Sequence, residues 1–243
     1  MPATKQWTSI WASRVRDENG NLKHISDYNL NIRPNVGNNW QSRVMAGDNI
    51  SGAQMQGTAS ATTSTSLTTS GLTASALVDH IIAVGANASG TGSVVYGVCS
   101  ANTTTVITVD KWYDPTNPGG AAGTTPNATG KYQVIPGSAP AVYLALSSTV
   151  QSGAAGDTTL AGELTTNGFA RAYWTTYTHT ANSSAYSLAN TFTAAGTATI
   201  NSEGLFTCAN TTAGGTIAFE SAETSPPTLV SGDTLAQTVL VNY

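Results

Sequence analysis

Charge is what this 243-residue chain lacks most: nine Lys and Arg and thirteen Asp and Glu make up only 9% of it, against roughly a quarter in an ordinary soluble domain. No Lys/Arg cluster is dense enough to displace phosphate counterions, so nucleic acid is not an expected partner. Cysteine is nearly absent. Cys99 and Cys208 stand far apart in strand-like segments and read as two buried thiols, since pairing would require their strands to meet. There is no paired Cys, no His-x-x-x-His and no calcium-loop pattern, so no metal and no cofactor are expected. No apolar run approaches the ~20 residues that cross a bilayer, and the N-terminus lacks the apolar core of a signal peptide. The expectation is a soluble protein, with no membrane partner, that is not exported by that route.

Catalytic signals are equally thin. His24, His80 and His179 are the bases available to a hydrolase, and none lies in a nucleophile-elbow motif. Glu163 with Glu203, or Glu220 with Glu223, are formal glycosidase pairs, but the nine acids beyond residue 48 of an all-β chain offer such pairs by chance. No catalytic residue is assigned and the chain is read as not an enzyme.

What the chain does have is threonine, 39 residues of it, with 24 Gly and 40% apolar content. Hydroxyls take over solvation, and the apolar share is enough for ordered structure. Residues 1–48 carry six basic and four acidic residues, a charge of +2; the remainder carries three and nine, a charge of −6. Such a start suits docking on an acidic protein surface, or is compositional scatter in a short segment.

The pattern along the chain is all-β. Residues 6–15 alternate loosely, Glu18-Asn19-Gly20-Asn21 makes a hairpin turn, and Leu22–Leu30 forms the second strand. Pro34 opens a short helix bearing Trp40, Val44 and Met45 that ends at Gly47. Residues 51–70, dominated by Ser, Thr, Ala and Gly, read as a linker or an exposed hydroxyl-rich strand marking a domain boundary. Residues 80–84, 93–99 and 104–110 read as strands, with a turn at Ser100-Ala101-Asn102, although residues 74–80 also suit a helix. A long loop follows from Pro115 to Gly130. Strands are expected at 143–147, 169–178, 185–193, 204–208, 216–221 and 234–243, with alternating faces as in antiparallel sandwiches.

The expected architecture is therefore an antiparallel β-sandwich at 137–243, a smaller inserted β-module at 51–136, and an N-terminal arm at 1–50 made of a hairpin and a short helix. Trp7, Trp11 and Trp40, with Arg14 and Arg16, are candidate docking residues, because desolvated aromatics dominate interface energetics; the alternative is that the tryptophans fill the protein's own core. Trp112, Tyr113 and Asp114 form a second candidate, a glycan contact, unless the two rings plug the end of a barrel.

Several motifs together resemble a family. Ala141 to Ser147, Ala154 to Leu160 with Glu163, Arg171, Ala185 to Ala194, Glu203-Gly-Leu-Phe206, Gly214 to Ile217 and Ser231 to Leu235 resemble a β-domain common in virion structural proteins of tailed bacteriophages. Asn31 to Gly37 followed by Trp40 resembles the turn and short helix that precede that domain. Residues 65–136 resemble a small β-module inserted in some such proteins. Gln237 to Val239 depart from the pattern, where an aromatic is often seen, and so does Ser202. The resemblance implies an accessory subunit of the virion, assembled in the host cytoplasm. It would attach to capsid, neck or tail through other virion proteins and through copies of itself, with host glycan recognition by a tail appendage as the alternative. Glu163, Arg171 and Glu203, rare charges in a hydroxyl-rich domain, are then expected to form a structural ion-pair cluster.

Overall fold

The computed structural model describes residues 8–30, 34, 35, 37, 43, 44, 52–85, 94–113, 125–151, 153–181, 183, 185–208 and 215–242. They are all-β, with every strand pairing antiparallel; the helical residues are Asn35, Gly37, Arg43, Val44 and a single turn at Gly52–Met55. The short helix expected after Pro34 falls mostly outside the described residues. Two compact units form. The first gathers Met1–Asn39, Ala141–Thr211 and Thr216–Tyr243, and the second Trp40–Pro140 and Thr212–Gly215.

In the first unit, β1 (Thr8–Arg16) pairs with both β2 (Leu22–Leu30) and β18 (Thr234–Asn242). The hairpin expected as a separate arm is instead integral to the larger sheet of this unit, because main-chain pairing with β18 runs in unbroken register from Thr8↔Asn242 to Arg16↔Thr234. The sheet continues through β13 (Ala185–Thr193) to β12 (Thr176–His179), giving the order β12-β13-β18-β1-β2. A second sheet has the order β11-β10-β15-β16, from β11 (Ala172–Tyr173), β10 (Tyr143–Ser147), β15 (Ser202–Phe206) and β16 (Ile217–Ala222). A two-stranded ribbon joins β14 (Ala198–Thr199) to β17 (Thr228–Leu229). The single strand expected at 169–178 is split into β11 and β12, which lie in different sheets.

Alternation decides which side chains of the large sheet turn inward. Trp11, Val15, Leu188, Phe192, Leu235, Val239 and Val241 are buried apolar residues. Between them runs a polar row. Asn190 pairs with Gln237, Gln237 with Ser13 and Ser13 with Ser26, and all four are buried. The row Leu188, Val239, Trp11 lies on one side of it and Phe192, Leu235, Val15 on the other. In the second sheet β10 and β15 are buried throughout, so both faces are covered. Tyr143, Ala145, Leu160, Phe206 and Ile217 pack together on one of them.

The second unit is a seven-stranded sheet, ordered β3-β9-β6-β7-β8-β5-β4. Its end strands β3 (Gln56–Thr58) and β4 (Ala61–Thr62) are separated only by Ala59 and Ser60, so the sheet closes into a small barrel. Ala59 donates to Gly130 O and Ser60 to Thr68 O across the junction. The other staves are β5 (Ser66–Thr68), β6 (Ile81–Val84), β7 (Val95–Asn102), β8 (Val106–Val109) and β9 (Lys131–Ile135). Residues 51–70, read from sequence as a linker or an exposed hydroxyl-rich strand, supply the strands that close the barrel; Leu67 and Ala59 are buried between hydroxyl residues that are half-buried or exposed. The interior is filled by a cluster that includes Leu67, Leu77, Ile82, Ile107, Tyr132, Val134 and Trp112. Residues 74–79 are turns, with Ser75 and Asp79 at positive φ. The β7–β8 turn lies at 103–105 rather than 100–102. Thr103 Oγ1 accepts from the amides of Thr105 and Val106, while the buried Asn102 side chain bonds Leu77 and Thr73.

Candidate functional site

Glu163 and Arg171 meet in a bidentate ion pair. Arg171 Nε and Nη2 donate to Glu163 Oε1 and Oε2 at 2.6 and 2.9 Å, and Nη1 donates to Cys208 O at 3.1 Å. The guanidinium carbon lies over the Phe206 ring, 3.5 Å from its centroid, and the Arg171 side chain is 3% exposed. This combination of fork and π-face uses properties that lysine lacks. Glu163 is held by a bridge to Ser147 at the end of β10, and Leu164 N donates to Leu146 O.

Glu203 does not share in that pair. The register Glu203↔Ser221 turns it to the opposite face of the sheet, toward β1 and β18. There Ser13 Oγ stands 2.7 Å from Glu203 Oε1 and 2.5 Å from Glu223 Oε1. Both carboxyls are buried. A serine hydroxyl has one hydrogen, so it donates to one of these oxygens and must accept an O–H from the other carboxyl: the trio holds a proton. Burial foremost, and then the neighbouring Glu223, raise the Glu203 carboxyl well above the ordinary carboxylate range, while Ser13 and the nearby Gln237 act in the opposite direction. Glu203 Oε2, the Trp11 indole N–H and both polar atoms of the Gln237 amide are buried without a hydrogen-bond partner among the described residues.

Glu220 faces the other way and forms a second carboxyl pair, with Asp157. A strap formed by residues 148–151 and 153–162 lies against this face of the sheet: Gln151 N donates to Ser202 Oγ at 2.8 Å, Asn201 Nδ2 to Ser148 O at 2.6 Å, and the Gln151 amide to Glu220 Oε2. Ala154 N donates to Asp157 Oδ2 at 2.7 Å and to Glu220 Oε1 at 3.2 Å. Burial, then Asp157, push Glu220 up to about 8, whereas the Ala154 amide and then Glu220 hold Asp157 below its usual value. The pairings drawn from sequence, Glu163 with Glu203 and Glu220 with Glu223, are therefore exchanged for Glu203 with Glu223 and Glu220 with Asp157. Nothing local in the sequence signals this, because it follows from cross-sheet register.

Comparisons of this chain with protein-family models, with curated proteins and with solved structures return no match. The reading of its surface thus rests on the side chains themselves.

Of the docking candidates, Trp11 is fully buried. Strand alternation turns it inward with Ser13 and Val15, so it is a core residue and not an anchor. Trp7 and Trp40 lie outside the described residues. Arg14 and Arg16 are exposed on the opposite face of β1, and Arg16 Nη1 donates to Gly20 O at 2.7 Å. Leu22 and Ile25 of β2, paired with Arg16 and Arg14, are 46% and 49% exposed. Of the glycan candidates, Trp112 is buried in the barrel of the second unit, and its Nε1 donates to Thr63 O at 3.0 Å. It can lie there because Gly97 has no Cβ; an added one would stand 3.0 Å from the indole. Tyr113 is half-buried, its hydroxyl 2.6 Å from Asp110 Oδ2 and its ring beneath Lys111. Asp114 lies outside the described residues. Among the described residues no group of His, Cys, Asp and Glu is arranged to hold a metal ion, and Cys99 and Cys208 are buried and not joined in a disulfide.

Proposed function

We propose that this chain is a structural subunit of a tailed-bacteriophage virion, acting through assembly with other virion proteins and with copies of itself. One observation carries the reading: the outward face of the β1–β2 hairpin pairs two exposed arginines, Arg14 and Arg16, with the exposed side chains of Ile25 and Leu22. In a chain with so few charges, cations interleaved with large apolar groups are the composition of an interface. The motifs that resemble the phage β-domain also converge on one place. Asp157, Leu160, Glu163, Arg171 and Phe206 strap and clamp one face of the β10–β15–β16 sheet. Their work is mechanical fastening, as a subunit built in many copies requires.

On this reading the first unit is an antiparallel β-sandwich. Its support is the pair of bonds from Ser13 in the large sheet to Glu203 and Glu223 of the smaller one, and the apolar rows that flank them. The hairpin face docks on an acidic partner. Electron microscopy of purified particles, gold-labelled with an antibody to this protein, tests the proposal. Label on the head, neck or tail supports it and gives the place of attachment. Unlabelled particles from a lysate that contains the protein overturn it.

A further inference from the structure

The chain crosses from the smaller sheet to the larger one at Trp174 and Thr175, and an uninterrupted ladder of rings marks the crossing. Tyr143 meets Tyr173 edge-on at 5.5 Å between centroids. Tyr173 is 5.0 Å from Trp174, Trp174 is 5.9 Å from Tyr177, and Tyr177 is 6.1 Å from Tyr186 and stacks at 6.5 Å on His179. The cross-strand pairs Tyr177↔Leu188 and His179↔Tyr186 place Tyr177, His179 and Tyr186 on the inward side of the large sheet, where Leu188 is buried. Yet all four residues of β12 are exposed, so at this edge the inward side is uncovered. Tyr173 and Tyr177 are 50% and 51% exposed. Such rings on an open edge have no folding role that requires their exposure, and large exposed aromatic patches mark binding surfaces.

We infer that the part of this ladder beyond the buried Tyr143, from Tyr173 to His179 with Tyr186, is a binding platform for a neutral, extended polysaccharide whose pyranose faces stack on its rings. Three observations select that occupant. From Ala172 to Ser202 the chain has no Asp, Glu, Lys or Arg, so the platform has no formal charge with which to recognise an ionic ligand. The polar atoms beside the rings of Tyr173, Trp174 and Tyr177, two phenol hydroxyls and an indole N–H, are short-range neutral donors and acceptors suited to sugar hydroxyls. The rings run on from Tyr173 through Trp174 to Tyr177, which meets both His179 and Tyr186, so they form a continuous aromatic surface longer than one sugar. The competing occupant is a second copy of this chain added along the β12 edge. It is disfavoured because β12 has four residues and because Tyr173 to Ser187 includes no aliphatic side chain larger than alanine, whereas the cores of homodimer interfaces are strongly apolar. The platform is distinct from the outward hairpin face proposed for assembly, and its test does not depend on that proposal.

Affinity electrophoresis of the full chain in native gels containing dextran, β-1,3-glucan, mannan or galactan provides the test. Retardation is expected in at least one, unchanged between low and high salt, with Trp174 emission shifting on addition of the same polymer. Tyr177→Ala, at a half-exposed position, is expected to weaken retardation about ten-fold while leaving the melting temperature unchanged. Tyr173→Ala serves as an independent second variant. Failure of all four polymers to retard the protein overturns the inference, as does retardation that both variants leave intact. Sedimentation showing a dimer that Tyr177→Ala dissociates assigns the ladder to a second copy and likewise overturns it.

Discussion

The Ser13 hydroxyl sits 2.7 Å from Glu203 Oε1, with Glu223 Oε1 on its other side at 2.5 Å, so a single side chain of the large sheet bridges two carboxyls. The same unit has a second protonated acid in Glu220, pushed up to about 8 by burial and by Asp157. Both raised groups bind a proton more tightly in the folded than in the unfolded chain. Their contribution is fully present below the ordinary carboxyl range and is lost as pH rises toward the folded values. Asp17, Asp157 and Asp233 are lowered, chiefly by hydrogen bonds from Asn21, the Ala154 amide and Lys23 respectively. Theirs is present above the ordinary Asp value and is lost as pH falls.

The first unit should therefore be most stable between about pH 4 and 5, and its melting temperature should decline steadily up to pH 8. Calorimetry across that range checks the slope. Glu220→Gln should flatten the alkaline limb, and a profile that rises from pH 5 to 8 contradicts the assignment.

Arg171 is buried with its charge neutralised by Glu163. Arg171→Ala should cost about 3–5 kcal/mol in denaturant titrations, since it strands a carboxylate. Arg171→Met combined with Glu163→Leu should recover most of that loss, and the double-mutant cycle measures the coupling.

Gly168 has φ +83°, and a Cβ there would fall 1.9 Å from Thr193 O. Gly168→Ala should destabilise by at least about 2 kcal/mol through combined strain and displacement of the β13 end. Gly156, with open space around it, is the control, and Gly156→Ala should stay within about 0.5 kcal/mol in the same denaturant titration.

Trp11→Ala should cost about 3–5 kcal/mol by emptying a core position, so any loss of attachment it causes follows from unfolding. Arg14→Glu and Ile25→Asp, on the exposed face, should abolish co-sedimentation with particles while the melting temperature holds. Retained co-sedimentation of both variants counts against the hairpin as the docking face.

Much of the strand layout was legible. Leu22–Leu30, Tyr143–Ser147 and Ala185–Thr193 have the expected bounds, because β-rich residues there are flanked by turn residues. Lys131–Ile135 is a strand for which the sequence reading carries no expectation, although Tyr132 and Val134 alternate with polar neighbours directly after the loop that ends at Gly130. The barrel closure through residues 56–62 is hidden by composition, because a Ser- and Thr-rich stretch reads equally as linker or as exposed strand until a partner strand is known. The site was less visible still. Glu163 and Arg171 lie eight residues apart and were grouped on sequence, but the turning of Glu203 toward Ser13 depends on a partner 190 residues away. Trp11 shows the ambiguity of a lone aromatic, for which only the facing sheet decides between core and contact.

The polar row Asn190–Gln237–Ser13–Ser26 also acts as a registration key. Sliding β18 by two residues along β1 would keep every apolar side chain facing inward, so hydrophobic patterning alone does not forbid it. Such a slip would set Ser13 against Leu235 or Val239 and carry the Gln237 amide away from Glu203. The mispaired sheet would then set polar side chains against aliphatic ones and break the continuity of the row. Replacing the row with leucine and valine would remove that mismatch from every alternative alignment. The altered chain would populate several strand alignments where the native chain selects one.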